Sequence, residues 1–187
     1  MSKRLIFLLG KTSSGKDTVA KYLEEKYGYK PVCSYTTRPK RNYEIDGVQH
    51  YFVNKEMMSK LVERDDIIAY TKFPKTEVEY CAILGSVDSD KAVYIINPDG
   101  VSWFKEHCED IDLEFVSVYV DLSEDMIINR ALERGDSEIK ISERLDSERE
   151  QFDNYKKNKE YDYLVDNSCS LEQTILQVDN IMRSIFK

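Results

Sequence analysis

Short apolar runs separated by amphipathic stretches set the pattern of the chain. Residues 5–9, Leu-Ile-Phe-Leu-Leu, carry no polar position on either alternating face, which predicts a strand buried on both sides. A loop over 10–15 follows, and from Lys16 to about Tyr27 the apolar Val19, Ala20 and Leu23 fall at helical spacing. A second short strand is predicted over 31–33. Residues 34–82 differ in texture, rich in Tyr, Thr, Arg and Glu, with short strands and one helix near 55–63. Alternation then resumes: a strand over 93–96, a helix over about 101–107, a strand over 115–120 and a helix over 124–134. Residues 134–136 read as a hinge before a long charged helix through about 157. A strand over 163–165 and a helix over 171–185 close the chain. Apolar strands alternating with helices imply a three-layer α/β fold, a parallel sheet with helices on both faces. The core is then 1–33 with 83–187, and 34–82 is an insertion at the carboxyl ends of the strands, where such sheets bind ligands.

The 187 residues fit one domain, and 41% apolar with 33% charged positions suits a water-soluble protein. A net charge of −8 argues against a nucleic acid polymer as partner, since that needs a basic face, but not against a small anionic ligand. Cys33, Cys81, Cys108 and Cys169 are widely spaced, with no C-x-x-C pair and only His50 and His107 beside them. That predicts reduced structural thiols rather than a disulfide framework or a zinc site. The apolar run at 5–9 is too short for a signal peptide and no other stretch approaches a membrane span, so a cytoplasmic location without membrane contact is expected. No feature specifies an oligomeric state.

Candidate chemistry begins directly after the first strand. Gly10-Lys11-Thr12-Ser13-Ser14-Gly15-Lys16 matches G-x-x-x-x-G-K between a strand and a helix, the context a P-loop requires. The glycines let several backbone N–H groups point at one phosphate, and the helix adds the positive end of its dipole. Lys16 then neutralises the β- and γ-phosphates of ATP. The position that usually offers a Ser or Thr hydroxyl to Mg²⁺ holds Asp17. Its carboxylate either ligates the metal itself or caps the helix N-terminus. Thr18 follows with a hydroxyl within reach of the α-phosphate.

A second cluster, Ser34-Tyr35-Thr36-Thr37-Arg38 with Arg41 and Glu44, puts two arginines three residues apart beside hydroxyls. Their forked donors match a dianionic phosphate, and two converging on one site would hold a monophosphate. With the P-loop, this stretch, the run Gly47 and His50-Tyr51-Phe52-Val53, the segment Arg130-Ala131-Leu132-Glu133-Arg134-Gly135 with Arg144-Leu145, and Tyr161-Asp162-Tyr163-Leu164-Val165-Asp166-Asn167, the chain resembles the guanylate kinases nearly end to end.

The resemblance implies an ATP-dependent nucleoside monophosphate kinase that passes the γ-phosphate to GMP or dGMP, with Mg²⁺. It implies that Ser34, Arg38, Arg41 and Tyr80 hold the acceptor phosphate, with Glu44 orienting the arginines and Tyr51, or His50 in its place, assisting. It further implies a lid over 134–144, with Arg134 near the adenine and Arg130 and Arg144 on the transferring phosphate. Departures from the family bear on the base: Ala69 and Ala82 stand where it reads guanine, and Asn97 with a displaced Asp99 where it has acidic residues. Glu77 or Glu79 could supply the missing acceptor. The departures admit a kinase for another nucleotide or phosphorylated small molecule. A phosphopeptide-binding module of the same fold is the rival from another class, and the intact lysine loop speaks against it.

Overall fold

The computed structural model describes residues 3–42, 44–87 and 89–185. In chain order the elements are β1 (Lys3–Leu9), α1 (Lys16–Tyr27), β2 (Lys30–Pro31), β3 (Ser34–Thr36), β4 (His50–Phe52), α2 (Lys55–Val62), β5 (Ile67–Lys72), β6 (Glu79–Ile83), β7 (Lys91–Ile95), α3 (Pro98–His107), β8 (Leu113–Asp121), α4 (Glu124–Glu133), α5 (Glu138–Asn158), β9 (Tyr163–Asp166) and α6 (Leu171–Ile185). Five strands form one parallel sheet in the order β2-β7-β1-β8-β9. The fold is the α/β class expected from the alternation.

β1 explains why. Leu5, Phe7 and Leu9 point to a layer shared with Phe104 of α3 and Phe152 and Tyr155 of α5. Ile6 and Leu8 point to the opposite layer, against Val19 and Leu23 of α1 and Val178 and Met182 of α6. Both faces are covered, so the strand is apolar throughout, and each such side chain contributes roughly 1.5–3 kcal/mol by leaving water. A charged residue at Ile6 or Phe7 would break the stack.

A second, four-stranded sheet runs β4-β3-β6-β5. β3 pairs in parallel with β4, with Ser34 opposite His50 and Tyr35 opposite Tyr51. β5 and β6 pair antiparallel, with Thr71 opposite Tyr80. Its Ile68, Ala69 and Ala82 join the β1 core layer, so the sheet is seated against the main domain.

Two predicted boundaries move. The single strand expected over 31–33 is two: β2 ends at Pro31, and the chain resumes as β3 at Ser34 in the second sheet. The helix expected from Val101 begins at Pro98, because Asn97 Oδ1 accepts from Gly100 N at 3.3 Å and proline suits the first helical position. Gly135, at φ 84°, closes α4, with its N–H on Leu132 O at 2.9 Å and that of Asp136 on Ala131 O at 3.0 Å. No helix among the described residues is long and apolar enough to cross a membrane.

Candidate active site

The G-x-x-x-x-G-K loop wraps between β1 and α1 as its glycines require. Gly10 and Gly15 have φ of 143° and 97°, and a Cβ at either would collide, with Val120 O and with Asn167 Nδ2 respectively. The Lys16 ammonium lies under the loop and donates to Gly10 O and Lys11 O, both at 2.7 Å. Burial lowers its pKa, against the pull of Glu148 and Asp17. Lys11 turns away: its ammonium bridges Glu124 of α4 at 2.6 Å and Asp153 of α5 at 2.7 Å. Burial alone would lower the Lys11 pKa, and the two carboxylates more than reverse this. Only the backbone of Lys11 faces the phosphate seat.

One donor of that seat is already engaged. Thr12 N–H donates to Glu148 Oε2 at 2.7 Å, so a carboxylate from α5 lies where the loop amides would grip an anion. Withdrawal from water raises the Glu148 pKa, opposed by Lys16, the Thr12 N–H, Arg144 and Lys11. Ser14 is buried, and among the described residues its Oγ has no hydrogen-bond partner. Behind the loop, Asn167 Nδ2 donates to Ser14 O at 2.7 Å while its Oδ1 accepts from Thr174 Oγ1 at 2.7 Å.

Asp17 sits in the first turn of α1, but the N-cap position is Gly15 and no side chain caps this helix. The N-cap position weighed for Asp17 belongs to Gly15, while the Asp17 charge stays in the first turn at the positive end of the helix dipole. Its carboxylate lines both cavities of the site. Thr18, Arg130 and Arg134 line the smaller one, of about 470 Å³, with Asn167. Arg130 donates to Asn167 O at 2.8 Å, and Arg134 to Ser13 Oγ at 2.6 Å and to Asp136 at 2.9 Å. Arg144 lines the larger cavity beside Glu148.

On the opposite side of the larger cavity, of about 900 Å³, stand Ser34, Arg38, Arg41, His50 and Tyr80. Glu44 anchors them. Its carboxylate, 4% exposed, takes a fork from Arg38 (Nη1 to Oε2 at 2.7 Å, Nη2 to Oε1 at 2.5 Å) and the Arg41 N–H at 2.8 Å. The Arg38 guanidinium holds the Glu44 pKa down to about 2. Arg38 Nε also donates to Tyr80 Oη at 3.2 Å. This fixes the guanidinium with the net positive charge of two arginines against one carboxylate.

β-strand alternation sends His50 and Tyr51 to opposite faces of the sheet. His50 shares the cavity face with its register partner Ser34, their Nδ1 and Oγ 2.9 Å apart. Tyr51, expected among the acceptor-binding residues, turns to the other face, 39% exposed, and stacks on Tyr35 at 4.9 Å. Burial and then Arg38 depress the His50 pKa to about 4, so the ring is neutral near pH 7. Glu77 and Glu79 do not line the cavity: Glu77 pairs with Lys72 at the hairpin turn, and Glu79 accepts from Tyr70 Oη at 2.7 Å. Ala69 lines the cavity, whereas Ala82 lies in the core behind it.

Residues that sequence reasoning passed over also belong to the site. Glu148 and Gln151 sat inside a charged helix with no motif to mark them, and Thr71 within a tyrosine- and threonine-rich strand. Asn97 Nδ2 donates to both Thr71 Oγ1 and Gln151 Oε1 at 3.0 Å, tying β5, α3 and α5 together at the cavity wall. Among the described residues, no cluster of three or more His, Cys, Asp or Glu side chains is placed to hold a metal ion.

The family model described as guanylate kinase matches residues 2–185. A guanylate kinase of Clostridioides difficile is 27% identical over 96% of this chain and 87% of its own length. One from Enterococcus faecalis is 31% identical over 82% of this chain and 78% of its own. The crystal structure of guanylate kinase from Anaplasma phagocytophilum shares the fold, with a TM-score of 0.70 at 24% identity, covering 100% of this chain and 88% of that one.

Proposed function

Because the chain belongs to the guanylate kinase family, and is thus a nucleoside monophosphate kinase that phosphorylates GMP with ATP, we propose that Lys16 and the loop amides hold the donor phosphates while Arg38 and Arg41 hold the acceptor phosphate. The observation that carries this assignment is the single cavity that Lys16 lines together with the Glu44-anchored arginine pair. dGMP is expected to serve as acceptor alongside GMP.

An oxygen of the acceptor phosphate attacks the γ-phosphorus in line. The new P–O bond forms as the bond to the β-phosphate oxygen breaks, leaving ADP and the nucleoside diphosphate. No side-chain nucleophile is needed, and catalysis is positioning and charge neutralisation. Lys16 exchanges its loop carbonyls for phosphate oxygens. Glu148 releases the Thr12 N–H as the triphosphate enters. Ser34, neutral His50 and Tyr80 complete the acceptor seat. Arg144 and Arg130 act on the transferring phosphate, and Arg134 packs at the adenine side, in the smaller cavity.

In this reading residues 34–82 form the acceptor-binding insertion, 134–144 the lid, and 1–33 with 83–187 the core. Closure of insertion and lid excludes water, the competing acceptor. Mg²⁺, when bound, neutralises charge on the β- and γ-phosphates. Asp17 is the residue that would hold it: one exposed carboxylate at the junction of the cavities suits an ion bound largely through substrate phosphates. The expected location is the cytoplasm. A coupled assay of ADP release across a panel of monophosphates tests the assignment. Release that depends on GMP is expected, and release that no monophosphate stimulates would overturn it.

A further inference from the structure

Besides the arginines and the glycine loop, the larger cavity is lined by Ala69, Tyr70, Thr71, Asn97 and Phe152, none of them a carboxylate. The carboxylates that do line the cavity, Asp17, Asp136 and Glu148, belong to the first turn of α1, the lid and α5. Glu148 is directed at the Thr12 N–H and Asp136 is paired with Arg134. Thr71 lies directly across the β5–β6 ladder from Tyr80, whose hydroxyl accepts from Arg38. A nucleotide with its phosphate on Arg38 and Arg41 therefore extends its ring along the uncharged wall that includes Thr71.

The hydrogen bonds at that wall have one assignment. Gly100 N–H donates to Asn97 Oδ1, so the Asn97 amide cannot be flipped. Both of its N–H groups are then spent, one on Thr71 Oγ1 and one on Gln151 Oε1. Thr71 Oγ1 already accepts, and among the described residues its own proton has no acceptor. Thr71 is 7% exposed and lines the cavity, so a bound base that displaces solvent from it must supply that proton's partner. A 6-oxopurine supplies a carbonyl oxygen to it. A 6-aminopurine brings an N–H to that point, which the remaining lone pair of Thr71 Oγ1 can accept, but it leaves the hydroxyl proton unpaired.

We infer that Thr71, held by Asn97 and Gln151, reads the 6-oxo group of the acceptor base, and that the enzyme accepts 6-oxopurine monophosphates as a class, phosphorylating inosine monophosphate as well as GMP. With no carboxylate among the described residues of this wall, nothing charged there binds the 2-amino group that distinguishes guanine from hypoxanthine. The inference rests on the acceptor assignment under Proposed function, and turnover of GMP by the wild type tests that assignment separately.

The experiment compares kcat/KM for GMP, inosine monophosphate and AMP at fixed ATP, in wild type, Thr71→Val and Thr71→Ser. In the wild type, inosine monophosphate should fall within about tenfold of GMP, and AMP about tenfold to a hundredfold below both, the cost of one unpaired buried group. Thr71→Val should lose about tenfold on both 6-oxopurines, chiefly in KM, with AMP and the KM for ATP unchanged. Thr71→Ser, which keeps the hydroxyl, should restore the preference. A purely structural bridge would alter stability and leave the ratio of 6-oxo to 6-amino substrates intact. Inosine monophosphate more than about tenfold below GMP overturns the inference. So does a 6-oxo to 6-amino ratio that Thr71→Val leaves unchanged, and the wild-type comparison decides the matter even where the valine variant fails to fold.

Discussion

Replacing Glu44 by glutamine probes the acceptor seat through the group that holds it together. Glu44 is 4% exposed and binds Arg38 through both oxygens and the Arg41 backbone through one. Its pKa lies at about 2 against an ordinary 4.5, mainly because of Arg38. With each tenfold change in proton affinity worth about 1.4 kcal/mol, that displacement corresponds to about 3 kcal/mol of stability near neutral pH. Glutamine keeps one acceptor oxygen but turns an NH₂ group toward the guanidinium, so both the charge and one arm of the fork are lost. A destabilisation of about 2–3 kcal/mol is expected, which for a chain of this size lowers the Tm by roughly 5–10 °C. The pH dependence has a fixed sign. A folded-state pKa below the unfolded one gives stability that is present above about 4.5 and is lost as pH falls toward 2. The gap between wild type and Glu44→Gln in urea unfolding should therefore be full at pH 7 and shrink through that window. In kinetics, a freely rotating Arg38 should raise the KM for GMP about tenfold and leave that for ATP unchanged. A variant within about 0.5 kcal/mol of wild type at pH 7, or a gap that stays constant down to pH 3, would refute the reasoning.

Lys16→Met should lower kcat by about 10²–10³, as loss of a preorganised charge does, and near-normal turnover would remove the P-loop from the mechanism. Because the Lys16 ammonium also ties Gly10 O and Lys11 O, a melt of this variant should show a modest loss of stability. Asp17→Ala should raise the Mg²⁺ concentration needed for half-maximal rate, with Asp17→Ser partly restoring it; titrations that superimpose on wild type would show that the carboxylate does not meet the metal. Glu148→Ala frees the Thr12 N–H and should tighten ADP binding about tenfold by calorimetry, since a competing charged acceptor is gone. Weaker ADP binding in that variant would mean that Glu148 supports the nucleotide instead of standing in its place.

Most of the core was legible along the chain because its signals are local. An unbroken apolar run such as 5–9 has only one economical use, a strand covered on both faces, and β1 serves that use with Phe7 and Leu8 in opposite layers. The glycine loop was equally plain, since φ of 143° at Gly10 and the crowding at Gly15 exclude any side chain there. The pairing of Arg38 with Glu44 spans only six positions, so the arginine cluster could be read as one unit. What depended on pairing between distant segments could not be. Whether His50 or Tyr51 faces the cavity was set by the parallel register of β3 and β4, which one residue of slip would invert. Asn97 seemed a lost acid in sequence. The meeting of β5, α3 and α5 makes it a helix cap with both donors committed. Glu148, 136 positions from Thr12, entered the phosphate seat only because α5 folds back over the loop. Periodicity and motif are written in consecutive residues, whereas the partner of a buried polar group is chosen by whichever chain segment the packed core brings within about 3 Å of it.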